Sequence, residues 1–333
     1  MTTPTKTHET HFRLGTRRSP LAIAQAEEAR DRLAAAHGID AAHIEIVAVT
    51  ASGDRIQDRA LAEIGGKALW TKELDAWLAG GEIDFAVHSA KDVETIRPEA
   101  FTIGAILPRE DVRDVLVGAE SIRALPQGAI VGTSAPRRAA QLLHARPDCT
   151  VVTFRGNVAT RLAKLAAGEA DATFLAAAGL RRLGETGTGH ALDENDWLPA
   201  PAQAAIMIEC RADDARTKAF LAAVDDAPSH IAVAAERALL AGLGGNCHSP
   251  IAVLTRHDGQ DLIMRAALYS PDGAEKVEDE ARFPATDGTG PAALAARLLA
   301  RAVPAIAVHF SGAGADSCCL LYTSPSPRDK RQS

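Results

Sequence analysis

The chain has 333 residues, 47% of them hydrophobic and 24% charged, with a net charge of −7. That length exceeds what one hydrophobic core organises and points to two or three domains of an ordinary globular protein. The acidic balance and the 4% aromatic content argue against a nucleic-acid partner, which calls for a basic face and stacking platforms.

In chain order, the opening "MTTPTKTHETHFRLG" lacks the basic-then-apolar order of a signal peptide. No apolar run approaches the roughly 20 residues that span a bilayer, so a cytoplasmic protein with no membrane partner is expected. "HFRLGT" alternates like a strand and runs into "SPLAIAQAEEARDRLAAAHG", a helix with Ser19 as cap, Pro20 at the first helical position and Gly38 at the exit. "IEIVAVTASGDR" reads as a strand entering a polar loop, and "TKELDAWLAGG" as a helix with Leu74, Trp77 and Leu78 on one face. "DFAVHSAKDV" is a strand leading to a loop with His88, Lys91 and Asp92.

A break at "AILPREDVRD" and another at "WLPAPAQAAIMIECR", bracketed by prolines, mark two chain crossings and hence a two-domain clam with a double hinge. Between them "AIVGTS" leads into "APRRAAQLLHARP", and "TVVTFRGN" into "VATRLAKLAAG", repeating the strand, polar turn and helix of the N-terminus. Beyond residue 227 come a helix, the loop "GLGGNCHSPI" and antiparallel strands with a hairpin signal at His257-Asp258-Gly259. That is a separate α+β unit. From Ser311 the tail loses all periodicity, and "LLYTSPSPRD" looks like adaptor or read-through sequence, so disorder is expected there.

Charge is unevenly spread along this frame. Residues 129–168 carry Arg137, Arg138, Arg146, Arg155, Arg161 and Lys164 against one acid, Asp148, and "RLGTRRSP" adds Arg13, Arg17 and Arg18. Basic strand-to-helix turns inside an acidic protein fit a pocket for a small polyanion, since free amides at helix starts favour negative charge. With no glycine-rich phosphate fingerprint, a multi-carboxylate ligand is favoured over phosphate. The five cysteines, at 149, 210, 247, 318 and 319, form no CxxC pair and no His/Cys cluster, which argues against disulfides and against a metal site. Cys247 stands out because it sits in a glycine-rich loop, where a thiol has no packing role.

"RLGTRRSPLA", "GGKALWTKEL", "DFAVHSAKDV", "IVGTSAPRR", "FRGNVATRL", "AAGLRRLG", "IECR" and "GNCHSPI" follow one another in an order and spacing that resembles the porphobilinogen deaminase (hydroxymethylbilane synthase) family over about residues 11–310. The resemblance implies an α/β fold of two periplasmic-binding-protein-like domains with mixed sheets, joined by a double hinge, plus a small α+β C-terminal domain. It places domain 1 at 9–104 and 205–222, domain 2 at 111–198 and domain 3 at 227–310. It implies a monomeric transferase that joins four porphobilinogen molecules with loss of ammonia, on a dipyrromethane cofactor held by a thioether to Cys247, and then releases the tetrapyrrole by hydrolysis.

By the same resemblance Asp92 is the catalytic residue, whose carboxylate stabilises positive charge developing on a pyrrole and assists proton transfer. Cofactor binding falls to Cys247, Lys91, Ser19, Thr133, Ser134, Arg137 and Arg138. Substrate binding falls to Arg17, Arg155, Arg161, Arg182 and Gln203, with Lys67 and Trp70 as an active-site lid. Guanidinium forks suit the acetate and propionate of each pyrrole. Arg18, Arg146 and Lys164 match no functional position, and His88 reads as a packed histidine. The chain departs from the family pattern at Ala68, Ala159, Ala202 and Ala204, where glycines are usual, and at Trp70, where phenylalanine is usual; alanine is unfavourable wherever positive φ is required. The competing readings are a weakened homologue and a non-catalytic anion-binding clam.

Overall fold

The computed structural model describes residues 11–49 and 71–310; Lys67, Ala68, Trp70 and the tail from Ser311 lie outside the described residues. The first lobe starts with β1 (Phe12–Arg17), α1 (Pro20–His37) and β2 (Ile44–Val49), and continues through α2 (Lys72–Gly80), β3 (Phe85–Ser89) and β4 (Phe101–Ile106). The second lobe contains β5 (Asp114–Val117), β6 (Ile130–Gly132), α3 (Pro136–Ala145), β7 (Thr150–Val152), α4 (Val158–Ala166), β8 (Ala172–Ala176), α5 (Ala177–Arg182) and β9 (His190–Ala191). The chain then returns through β10 (Ile206–Arg211) and α6 (Ala215–Leu221). A third unit follows with α7 (Ala227–Gly242), β11 (Ile251–Asp258), β12 (Asp261–Tyr269), β13 (Lys276–Pro284), α8 (Gly290–Arg301) and α9 (Pro304–Ala307).

The two lobes share one topology. Their five-stranded sheets run in the orders β2-β1-β3-β10-β4 and β7-β6-β8-β5-β9. In each, three parallel strands meet an antiparallel fourth, and that fourth strand is the one delivered by a crossing, β10 in the first lobe and β5 in the second. The first sheet is thus completed only after the chain has passed through the second lobe, whose own five strands are contiguous in the chain. The cores separate accordingly: Phe12, Leu14, Leu33, Phe85 and Ile208 pack in the first, and Leu116, Val131, Leu142, Phe174 and Trp197 in the second. The third unit packs Leu239 of α7, Leu243 at its end, and Leu294 and Leu298 of α8 on the three-stranded sheet β11-β12-β13.

Local chemistry explains where the helices point. The Ser19 hydroxyl accepts from the Ala22 amide, Pro20 occupies the first turn and Gly38 leaves α1 in the left-handed conformation, as the spacing predicts. Asn157 Oδ1 accepts from the Thr160 amide at 2.9 Å and opens α4, while Gly156, at φ 106°, makes the turn that follows Arg155. Thr133 Oγ1 accepts from the Ala135 amide at 3.2 Å just before α3. Polar turns therefore sit at the carboxyl ends of parallel strands, where open α/β sheets form their ligand crevice. No described helix is long and apolar enough to cross a membrane.

The second crossing is strained. Ala202 and Ala204 have φ of 56° and 71°, the only non-glycine residues with positive φ among those described. A left-handed L-residue costs about 1 kcal/mol or somewhat more, and here polar anchors hold it. Glu236 of α7 accepts from the Ala202 amide at 2.6 Å, Arg109 donates to the Gln203 carbonyl at 2.8 Å, and Arg182 donates to the Ala204 carbonyl at 3.1 Å. Ala204→Gly is expected to stabilise the fold by up to about 1 kcal/mol, the relieved strain exceeding the added entropy of the unfolded chain. A denaturant titration showing no gain, or a loss, would contradict the strain.

Candidate active site

An open pocket forms where β1 and β3 end and α1 begins, bordered by Arg17, Ser19, Gln25, His88, Ser89 and Asp92. Gln25 Nε2 donates to Ser89 Oγ at 2.9 Å, joining helix to strand across its wall. Asp92 ends a short 3-10 turn (Ala90–Asp92) directly after β3. His88 is buried in β3 with its Nε2 3.2 Å from Glu209 Oε2, in keeping with a packed histidine, and the same ring borders the pocket.

Charges from all three units act on one another around Asp92. Burial pushes the Lys91 ammonium down, Asp92 pulls it back up, and Arg138 and Arg137 of the opposite lobe lower it further. Burial together with Arg138 and Arg155 brings the Arg161 guanidinium down to about 10, with Asp92 opposing, so it remains a cation at neutral pH. Cys247 reaches solvent in its loop yet is recessed in protein; burial first, then the Asp92 and Glu94 carboxylates, push its thiol up to about 11. The structure therefore gathers Asp92, Lys91, Arg161 and the one exposed thiol among the described residues into one electrostatic neighbourhood. Cys149 and Cys210 are buried, as expected of small apolar residues.

Several predicted ligand-binding residues occupy a buried layer instead. The Asp114 carboxylate, opening β5, accepts from Arg137 at 2.8 Å, Arg138 at 2.7 Å, Trp197 Nε1 at 2.8 Å and Gln203 Nε2 at 2.9 Å. Those donors hold its pKa well below the ordinary carboxylate range against the opposing effect of burial. Gln203 spends both amide hydrogens on Asp114 and on the Val112 carbonyl, so it ties the two crossings together rather than facing an open cleft. Arg182 is likewise engaged, donating to Glu28 of α1 at 3.1 Å and to the Ala204 carbonyl. It latches one lobe to the other.

Arg137 and Arg138 are only 5% exposed and each leaves its Nε without a partner among the described residues. Arg17 and Arg155 are half-buried, as are Ser19 and Ser134, whereas Thr133 is buried. The charges expected to lie elsewhere do so: Arg18 donates to the Ala48 carbonyl, Arg146 pairs with Asp148 at 2.7 Å and Lys164 lies 3.5 Å from Glu169.

Sequence reasoning passed over the acids that organise these cations. Arg109 donates to both oxygens of Glu236 at 2.9 Å, and Arg97 binds Asp75, Glu94 and Glu209 together. A usable signal existed, because Asp114, Glu209 and Glu236 are each a single acid inside an apolar strand or helix segment, a placement tolerated only with a partner.

Comparison with known proteins bears on this arrangement. Residues 12–219 match the family described as "Porphobilinogen deaminase, dipyromethane cofactor binding domain", and residues 230–301 match "Porphobilinogen deaminase, C-terminal domain". A protein of Sphingopyxis alaskensis named porphobilinogen deaminase is 58% identical over 311 residues, covering 92% of this chain and 98% of that one. One of the same name from Paracoccus denitrificans is 53% identical over 280 residues, covering 83% and 90%. Among solved structures, the periplasmic VFT2 domain of Bordetella pertussis BvgS is 18% identical, with a TM-score of 0.37 over 65% of this chain and 87% of that one.

Proposed function

The chain belongs to the porphobilinogen deaminase family, and from that premise we propose that the pocket around Asp92 is where porphobilinogen units are joined, with loss of ammonia, on a dipyrromethane held by Cys247. The residues present fit that group. A thiol that reaches solvent stands within the influence of Asp92, and buried guanidiniums retain unpartnered N–H donors suited to carboxylates. When bound, the dipyrromethane supplies an anchored terminal ring to which each new unit is attached.

The chain's own residues divide the remaining work. Asp92 faces cations on the substrate: its carboxylate stabilises charge developing at a pyrrole ring as ammonia leaves, and it takes and returns protons at the substrate amine and at the ring position being coupled. Lys91, Arg17, Ser19, Arg155 and Arg161 pair with acetate and propionate side chains, and Thr133 and Ser134 add hydroxyl donors at the start of α3. Arg137 and Arg138 contribute donors that Asp114 leaves over. Arg182 and Gln203 act as scaffold at the crossings. Residues 9–104 with 205–222, 111–198 and 227–310 are the three domains of this reading, Lys67 and Trp70 are its lid, and the enzyme works as a monomer.

The observation that carries the proposal is that the Asp92 charge acts both on Arg161 of the second lobe and on Cys247 of the third unit. Asp92→Asn tests it. The variant should retain the covalent adduct by intact mass while kcat falls about 100- to 1,000-fold, the scale seen when one preorganised charge-stabilising group is removed. Near-normal turnover would remove Asp92 from the chemistry.

A further inference from the structure

The helix that leads to Cys247 is fastened to the segment that leaves Asp92, and the fastening is made by a guanidinium that binds backbone rather than acids. Arg237 Nη2 donates to the Glu94 carbonyl at 2.7 Å and to the Thr95 carbonyl at 3.1 Å, while Nη1 lies 3.5 Å from the Val93 carbonyl. In return, Thr95 Oγ1 donates to the Gly245 carbonyl at 3.0 Å, two residues before Cys247. Beneath these bonds Val233, one helical turn before Arg237, is fully buried against Ala90 and Val93.

We infer that Arg237 is a positioning residue that fixes the cysteine loop against Asp92. Residues 93–95 leave the 3-10 turn that ends at Asp92, so whatever holds them limits how far Asp92 can drift. α7 ends at Gly242, five residues after Arg237, or about 8 Å along the axis. A rigid helix pinned at that point carries its loop to the carboxylate with little slack. A guanidinium suits the task because its planar fork reaches adjacent carbonyls from one side at fixed angles, which a lysine ammonium does not. Thr95 closes the loop from the other direction. This inference rests on Asp92 being the catalytic group.

The test is a double-mutant cycle on purified holoenzyme with Arg237→Met, which keeps the apolar stem and removes the donors, and Thr95→Val as a milder second variant. Arg237→Met is expected to lower kcat roughly 10- to 100-fold, the scale of a small misplacement of reacting groups, with KM little changed. Arg237→Lys should recover part of the loss. In an Asp92→Asn background the same substitution should cost little more, because its effect passes through Asp92. Hydrogen exchange of residues 93–97 and 244–248 should rise together in Arg237→Met, an effect read without any assay of turnover.

If Asp92→Asn alone leaves turnover normal, the reading of Asp92 fails. If Asp92→Asn is slow but Arg237→Met is not, or if the Arg237→Met loss repeats in full on top of Asp92→Asn, the positioning role is overturned. Unchanged exchange in both segments overturns it too. Should Arg237→Met fail to fold, Thr95→Val in the same cycle decides: a kcat loss absent from the Asp92→Asn background supports the inference, and a loss of any other pattern, or none, refutes it.

Discussion

Cys247→Ser should yield a folded protein whose intact mass equals that of its sequence, with turnover abolished. A serine hydroxyl has nearly the size of the thiol, and the residue reaches solvent rather than packing in a core, so the stability cost should stay within about 0.5 kcal/mol. What changes is bond chemistry. Sulfur forms the stable carbon–sulfur link, and a hydroxyl at the same point does not. The thiol here is held high, at about 11, by burial and by the Asp92 and Glu94 carboxylates, so at neutral pH it is almost wholly protonated and is not poised as a thiolate nucleophile. In the proposed reading, attachment calls for an electrophilic partner that takes the sulfur as its proton departs, with Asp92, whose charge acts on the thiol, as the group that receives that proton. A Cys247→Ser protein that carried the adduct, or that turned over normally without one, would overturn the assignment.

The site was legible in the sequence where local chemistry decides, and hidden where tertiary contact decides. Ser19, Pro20 and Gly38 are read correctly from spacing because capping is a contact between near neighbours. The Cys247 loop is legible because a thiol between a glycine turn and a Ser-Pro step has no packing use. Arg137 and Arg138 also announced an anion, but one proved to be Asp114, more than 20 residues away in the chain, at the start of a strand that the sequence shows only as part of a chain break. The same distance hid Glu236 on Arg109 and Glu209 on Arg97. The departures from glycine were legible as a pattern, yet only φ tells them apart. Ala159 lies within α4, where alanine is welcome, whereas Ala202 and Ala204 are left-handed.

Asp114→Ala should destabilise the protein by about 3 to 5 kcal/mol at pH 7, the cost of leaving a buried ionic partner uncompensated. Two guanidiniums, Arg137 and Arg138, would lose their carboxylate in a buried layer, and Trp197 Nε1 and Gln203 Nε2 would lose an acceptor in the same step. The pH dependence distinguishes this from simple loss of packing. Asp114 has a folded-state pKa well below the ordinary value near 3.9, so its contribution is complete above about pH 4 and is withdrawn as pH falls toward the folded-state pKa. Unfolding measured at pH 7 and again below pH 4 should therefore show the gap between wild type and variant narrowing in acid. A gap independent of pH would mean that the carboxylate's charge is not what holds the two arginines. Because Gln203 and Arg109 join this layer to the strained crossing and to α7, the loss should also slow turnover in material that remains folded, through the geometry of the two lobes and the placing of Arg137 and Arg138.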